Sequence, residues 1–290
     1  MGVYIAALGF GLVSAAVLAV AAVGFTMQFA ITDILNLAYG GVMIAGAYVA
    51  YFLNQRGVNI WIDMMASAAA GAVISVLLNR FLYTPFQRRK ASHVTLIIVT
   101  LATGIIITNA MLGFAGPNSV TYTFNGGPTL RWGSFQLTSA QLGIIALSVA
   151  LMASIHALLR FTRLGKAMRA TASNPNLARN CGIRTGRVIS VTWLITGALC
   201  GIAGTVFALD SGSFVPSSAA GFIVVILAAA ILGGVGQPYG AMLGALLIGE
   251  VTELSAAAWS PDYKDVIAFV LLLIVMVARP QGILLRGATR

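Results

Sequence analysis

Runs of about twenty apolar residues recur from one end of this chain to the other, and at 1.5 Å per residue each can cross the roughly 30 Å hydrocarbon layer of a bilayer as a helix. The first, Val3 to about Ala30, carries no side-chain charge before Asp33. The second, Ile34 to Leu53, is interrupted early by Asn36 and by Gly40 and Gly41. Ile60 to Leu82, Val94 to Phe114, Ala140 to Leu159 and Val188 to Leu209 follow, each uncut by glycine clusters. From Ala219 to Gly249 the chain stays apolar but is broken by Gly233, Gly234, Gly236 and Pro238, which reads as two shorter helices meeting at a turn. Val266 to Ala278 is the last run. With 59% hydrophobic and 8% charged residues in 290, the chain lies far from the roughly 25% charged content of soluble domains. The expected fold is all-α, a single polytopic transmembrane helical bundle over residues 1–290 with eight or nine spans, some of them broken.

The net charge of +10 could suggest nucleic acid, but the basic residues sit between membrane-length runs and therefore report topology. Arg80, Arg88, Arg89 and Lys90, seven residues between Arg160 and Arg187, and Arg279, Arg286 and Arg290 fall on one side, leaving Arg56, Arg131 and Lys264 on the other. Fourteen against three of the 17 basic residues makes the first side cytoplasmic, with the C-terminus on it. No removable signal peptide is evident, because the first run has no basic leader and exceeds a secretory apolar core.

The most polar stretch, Arg160 to Arg187, carries Arg160, Arg163, Lys166, Arg169, Arg179, Arg184 and Arg187 and no acid. It cannot lie in hydrocarbon. Asn174 followed by Pro175 predicts a helix start, since Asn accepts a bond from an orphan amide and Pro has no amide to leave orphaned. Gly182 supplies the left-handed conformation that ends a helix. A two-turn helix from Pro175 to Cys181 follows, with Leu177, Ala178 and Cys181 on one face and Asn176, Arg179 and Asn180 more polar. A solvated topology loop is the plain alternative; the caps at both ends favour a docking element.

Acidic residues are read by depth. Asp63, Asp210, Asp262 and Asp265 are expected at hydrated outer ends, and Asp33 at an inner break. Glu250 and Glu253 fall on the outer half of an apolar run, where an ionisable group costs roughly 2.5–3.5 kcal/mol and becomes a functional candidate. Cys181 and Cys200 are expected to stay reduced, on opposite sides of the membrane boundary.

Several chemistries are excluded. Gly165-Lys166 is followed by Ala167, so no phosphate-cradling loop of an ATPase is present. Gly234, Gly236 and Gly240 have the wrong spacing for a dinucleotide fingerprint and join apolar helices. His93 and His156 flank cytoplasmic ends without metal ligands or nucleophiles at useful spacing, which argues against a membrane enzyme. Glycines four apart, Gly197 with Gly201 and Gly240 with Gly244, fit close helix packing. The clusters at Gly40–Gly41 and Gly233–Gly240 interrupt an apolar segment in each half, the pattern that points to a transport site.

Four stretches carry a family resemblance: Asn36 to Gly40 with Met43 to Tyr48; Arg169 to Pro175 leading to Gly182 and Ile183; Ile231 to Ala241; and Lys264 to Phe269 with Arg279 to Gly282. Together they resemble the LivH-type permease subunits of branched-chain amino acid ABC importers. The resemblance implies a bacterial inner-membrane subunit pairing with a LivM-type permease, two ATPase subunits and a periplasmic binding protein, in contact with membrane lipid and no nucleic acid. It implies no cofactor on this chain, ATP and Mg²⁺ belonging to the ATPases. The family's coupling loop maps onto Gly165 to Gly182, where Leu177, Ala178 and Cys181 would enter an ATPase groove and Arg169 and Arg179 would contact its rim, around Asn174 and Pro175. Polar candidates for the substrate path are Gln28, Asn36, Tyr39, Thr103 and Asn109 beside Gly40, Gly41, Gly233 and Gly234. Leu37 and Tyr39 depart from the family's usual Asn-Phe-Ala-His-Gly, which leaves urea, short amides and aromatic acids open as cargo. A secondary transporter with Glu250 or Asp33 binding an ion is the reading from another class.

Overall fold

In the computed structural model residues 2–123, 127–132, 135–278 and 282 are described. Arg279, Arg286 and Arg290, and the side chains of Arg131, Asp262 and Asp265, lie outside the described residues. The elements in order are α1 (Gly2–Thr32), α2 (Tyr39–Asn54), α3 (Ile60–Leu77), a π-helical turn (Leu78–Tyr83), α4 (Thr84–Arg88) and α5 (His93–Ala115). A hairpin of β1 (Thr129–Trp132) and β2 (Phe135–Thr138) precedes α6 (Ser139–Phe161), α7 (Arg163–Ser173), α8 (Pro175–Asn180) and α9 (Thr185–Ser211). Then come α10 (Ser218–Gly233), α11 (Pro238–Ala258), a short 3₁₀ turn (Pro261–Tyr263) and α12 (Lys264–Ala278).

Six helices among the described residues are long and apolar enough to cross a membrane, with α10 and the apolar part of α12 shorter. The result is an all-α membrane bundle. α1 and α9 bury 61% and 67% of their most apolar stretch, whereas α5 and α6 bury 17% and 22%, so the first pair is the centre and the second pair the periphery. Exposed Ile98, Leu101, Ile105 and Ile106 on α5 suit hydrocarbon and explain why that helix needs no polar face.

Backbones at the centre approach closely because glycine meets glycine. A side chain at Gly201 would run into Ser67 of α3, one at Gly197 into Gly71, and one at Gly204 into Met43 of α2. The Ser67 hydroxyl uses this closeness to donate to the Gly201 carbonyl at 2.7 Å. Small residues are how helices associate where hydrocarbon supplies no hydrophobic drive.

Loops segregate to two ends. At one, Asp33, Gln87, Arg169, Pro175 and Gln237 line a common cavity, and Gly282 packs on Gly234; we call this the basic end. At the other, Val120 pairs with Phe214, the Tyr122 hydroxyl donates to the Ala47 carbonyl, and Asn54 holds both Thr123 and Asp63. Asp63 is accordingly not a hydrated outer acid but fully buried, accepting from the Asn54 amide at 3.2 Å.

The break expected at Gly40 and Gly41 is displaced, whereas the turn expected between Gly233 and Pro238 is present. Gly40 and Gly41 lie inside the first turn of α2, where they seat it against Ala219 of α10 and Gly104 of α5; the unwound stretch is Asp33–Ala38 instead. Gly233 and Gly240 touch across a tight turn that joins α10 to α11 at the basic end, with Gly234 and Gly236 at φ +104° and +88°. Replacing Gly201 by Val is expected to force α3 from α9 and cost about 1–3 kcal/mol, whereas Gly113→Ala, facing open space, leaves stability unchanged. Thermal unfolding of the detergent-solubilised variants checks the contrast.

Candidate functional site

α1 ends at Thr32, and the chain then turns back unwound, so that the Tyr39 hydroxyl reaches Gly24, eight residues or about 12 Å along α1 from its end. Non-helical backbone at membrane depth must find partners inside the protein. Thr100 donates to the Leu35 carbonyl at 2.9 Å, Gln87 to the Thr32 carbonyl at 3.3 Å, and Ala38 N–H reaches the Asn36 side chain at 3.2 Å. Asn36 is the hub: its amide donates to Gln28 Oε1 and its oxygen also accepts from the Tyr83 hydroxyl, both at 3.3 Å. Thr103 stands beside that phenol. Three of the polar path candidates, Gln28, Asn36 and Thr103, are thus brought together, with Tyr83 as a member the sequence did not advertise.

The group is buried, not open. Gln28 and Asn36 are each 1% exposed and Tyr83 is 0% exposed, so they hold the unwound segment in place. Tyr39 points at Gly24 with its hydroxyl unpartnered, while its carbonyl accepts from Cys200 Sγ at 3.2 Å. Asn109 is exposed on α5 and donates to the Ile105 carbonyl of its own helix, so it does not join the others. Gly233 and Gly234 lie at the basic-end turn.

Open space lies elsewhere. A cavity of about 780 Å³ at the basic end is walled by the last turn of α1, by α7 and Pro175, and by Gly236–Tyr239. Met27, Ile31, Leu159, Met168 and Ile189 make it mostly apolar, and Asp33 and Arg169 give it one charge of each sign. Asp33 takes φ +54° there and lies 3.9 Å from His93. A second recess of about 340 Å³ opens at the start of α10, between Ser217, Ser218, Gly221 and the rings of Phe207 and Phe222. α10 rises about 22 Å from the basic end, and Gly40 beside its start lies about 21 Å along α2 from Asn54 at the other end, so this helix start lies midway between the two. Ser217, Ser218 and Gly221 carried no warning in sequence, because the chain gives no sign that α10 begins below the surface.

The basic segment from Arg160 to Arg187 holds two short helices, α7 and α8, not one helix in a loop. α7 is amphipathic: Gly165, Met168 and Thr171 are buried at three-residue intervals, while Lys166 and Arg169 are exposed. Thr162 caps it by accepting from Gly165 N–H at 2.9 Å. Asn174 then caps α8, accepting from Asn176 and Leu177 amides at 3.1 and 2.9 Å. At the far end Gly182, at φ +82°, donates to the Arg179 carbonyl and Ile183 to that of Ala178, the reciprocal pair of a Schellman motif. Leu177, Arg179 and Cys181 are exposed, Leu177 by 60%, but Ala178 is buried at 4%. Ala178 therefore faces this chain's own body and cannot enter a partner's groove with Leu177.

The acidic residues of α11 face α1. Glu253 accepts from Ser14 at 2.9 Å and pairs with Lys264 at 2.6 Å, which accounts for its place in an apolar helix. Glu250 packs against Gly11, with one carboxylate oxygen unpartnered.

Residues 7–276 match the family described as branched-chain amino acid transport system, permease component. The chain is 31% identical over 283 residues to the high-affinity branched-chain amino acid transport system permease protein LivH of Escherichia coli, covering 92% of this chain and 90% of the relative. BraD of Pseudomonas aeruginosa, with the same description, is 30% identical over 295 residues, covering 94% and 93%. The LivM permease of Escherichia coli is 27% identical over 288 residues, covering 90% and 66%. Replacing Asn36 by Ala removes the bonds to the Tyr83 hydroxyl, the Ala38 amide and Gln28, and is expected to lower stability by about 2–4 kcal/mol. A fall of the thermal midpoint, with Asn109→Ala as the unaffected control, checks this.

Proposed function

Because the chain belongs to the family of branched-chain amino acid transport system permease components, we propose that it forms half of the translocation pathway of an ATP-driven importer of branched-chain amino acids. The observation that carries this reading is a family match over nearly the whole chain together with a doubly capped, partly apolar α8 exposed at the basic end. The other half would be a LivM-type permease, consistent with this chain's own likeness to LivM. Two ATPase subunits would bind ATP and Mg²⁺, and a periplasmic binding protein would deliver cargo.

Counting α2, α10 and α12 with the six long helices, we read nine membrane-embedded segments. Nine is odd, so with the basic end in the cytosol the N-terminus faces the periplasm of the inner membrane and the C-terminus faces the cytosol. The cavity is then a cytosolic vestibule, and the recess at the start of α10 meets the path near mid-depth. The positive dipole end of α10 favours a passing carboxylate. Arg169 and Pro175 belong both to the coupling helices and to the vestibule wall, so displacement of α7–α8 by an ATPase alters the space into which cargo emerges. Leu177 and Cys181 would seat in the ATPase, with Arg179 on the rim.

Leu177→Asp combined with Arg179→Glu changes only exposed positions and is expected to reduce ATPase pull-down more than about tenfold while the subunit still inserts. Unchanged pull-down would remove α8 from the interface. Cargo is decided by uptake into proteoliposomes holding the assembled importer: leucine, isoleucine and valine are expected to compete, and preference for urea, a short amide or an aromatic acid would replace the substrate assignment.

A further inference from the structure

Between α1, α6 and α11 the bundle leaves an apolar trough of about 450 Å³ that shares only Tyr239 with the lining of the basic-end cavity. Its floor is made of small α1 residues, Ala15, Ala16 and Ala19, and its walls of Val149, Met152 and Leu246. Along α6 it runs from Ile145 to His156, eleven rises or about 16 Å, which is close to half of a 30 Å hydrocarbon layer. The trough therefore has the length of one leaflet.

Its two ends differ. Away from the basic end it finishes among aliphatic side chains, Leu12 and Ile145. At the basic end it finishes at a polar pair, the Tyr239 hydroxyl 2.9 Å from His156 Nδ1. One helical turn further on the same face of α6 stands exposed Arg160. No acid neutralises this corner: Asp33 is the one acidic side chain described at the basic end, and it lies beside His93.

We propose that this trough is a binding site for an anionic phospholipid of the leaflet at the basic end, one acyl chain lying over Ala15–Ala19 and the headgroup phosphate held by Arg160, Tyr239 and His156. An acyl chain needs no hydrogen bond from the walls and tolerates the small, smooth floor. A phosphate answers the uncompensated guanidinium and the two hydrogen-bonding side chains at the mouth. A transmembrane helix of the partner permease fits less well: it would cross both leaflets, whereas the trough ends after one.

The test uses the assembled importer purified in mild detergent from membranes containing phosphatidylglycerol, with bound lipid counted by native mass spectrometry and extraction. Wild type is expected to retain phosphatidylglycerol at about one molecule per copy of this chain. Arg160→Gln should lower retention about fivefold, and Ala153→Trp, which fills the trough from its exposed rim, should abolish it with the complex intact. Ser148→Ala, which removes a buried hydroxyl that only a polar partner could use, should leave retention unchanged. Equal retention in wild type, Arg160→Gln and Ala153→Trp would overturn the proposal. So would efficient cross-linking of Val149→Cys to the partner permease, which would place protein in the trough.

Discussion

Hydrocarbon offers no hydrogen-bond partner, and almost every feature of this bundle is a response to that fact. Helices satisfy their own backbone. Side chains of Thr192, Thr196 and Thr252 return their hydroxyls to carbonyls one turn back, so they can sit buried in apolar surroundings. Where the backbone does leave the helix, between Asp33 and Ala38, the bundle supplies Thr100 from α5 and Gln87 from α4, and the segment adds its own Asn36. The Gln28–Asn36–Tyr83 group is thus the condition for having an unwound segment at depth at all. Its burial follows from the same need, since a group exposed to the path could not hold that backbone dry.

The same constraint sorts the charged groups. Glu253 enters the bundle because Lys264 and Ser14 meet it, and Asp63 does so because Asn54 reaches it from the end of α2. The basic residues of α7 and α8 stay outside, because α7 turns only Gly165, Met168 and Thr171 inward. Arg169 thus stands on the wall of the basic-end cavity and Leu177 on the free surface, so the two ends of one short segment face different surroundings.

Much of this was legible in the chain. The apolar runs announced the helices, and Asn174, Pro175 and Gly182 announced α8, because capping is set by atoms within a few residues and needs no tertiary knowledge. What failed depended on neighbours far away in sequence. Gly40 and Gly41 read as a break, but glycine also permits close approach, and Ala219 and Gly104 decide which use applies. Ala178 read as docking surface because a two-turn helix has too few residues to tell an inward alanine from an outward one. Asp63 read as hydrated because its partner, Asn54, lies on a different helix. α7 escaped notice because its polar face, rich in Arg and Lys, looked like loop.

The glycine-to-glycine contact between α10 and α11 has a mechanical meaning. With Gly233 and Gly240 pressed backbone to backbone across a four-residue turn, these two helices must tilt as one stiff lever. Any rocking of the subunit then has to be absorbed where the chain is already unwound, at Asp33–Ala38 and at the bend before Ser218. The second of those joints borders the recess beside Ser217 and Ser218, so tilting the lever would change that recess's shape.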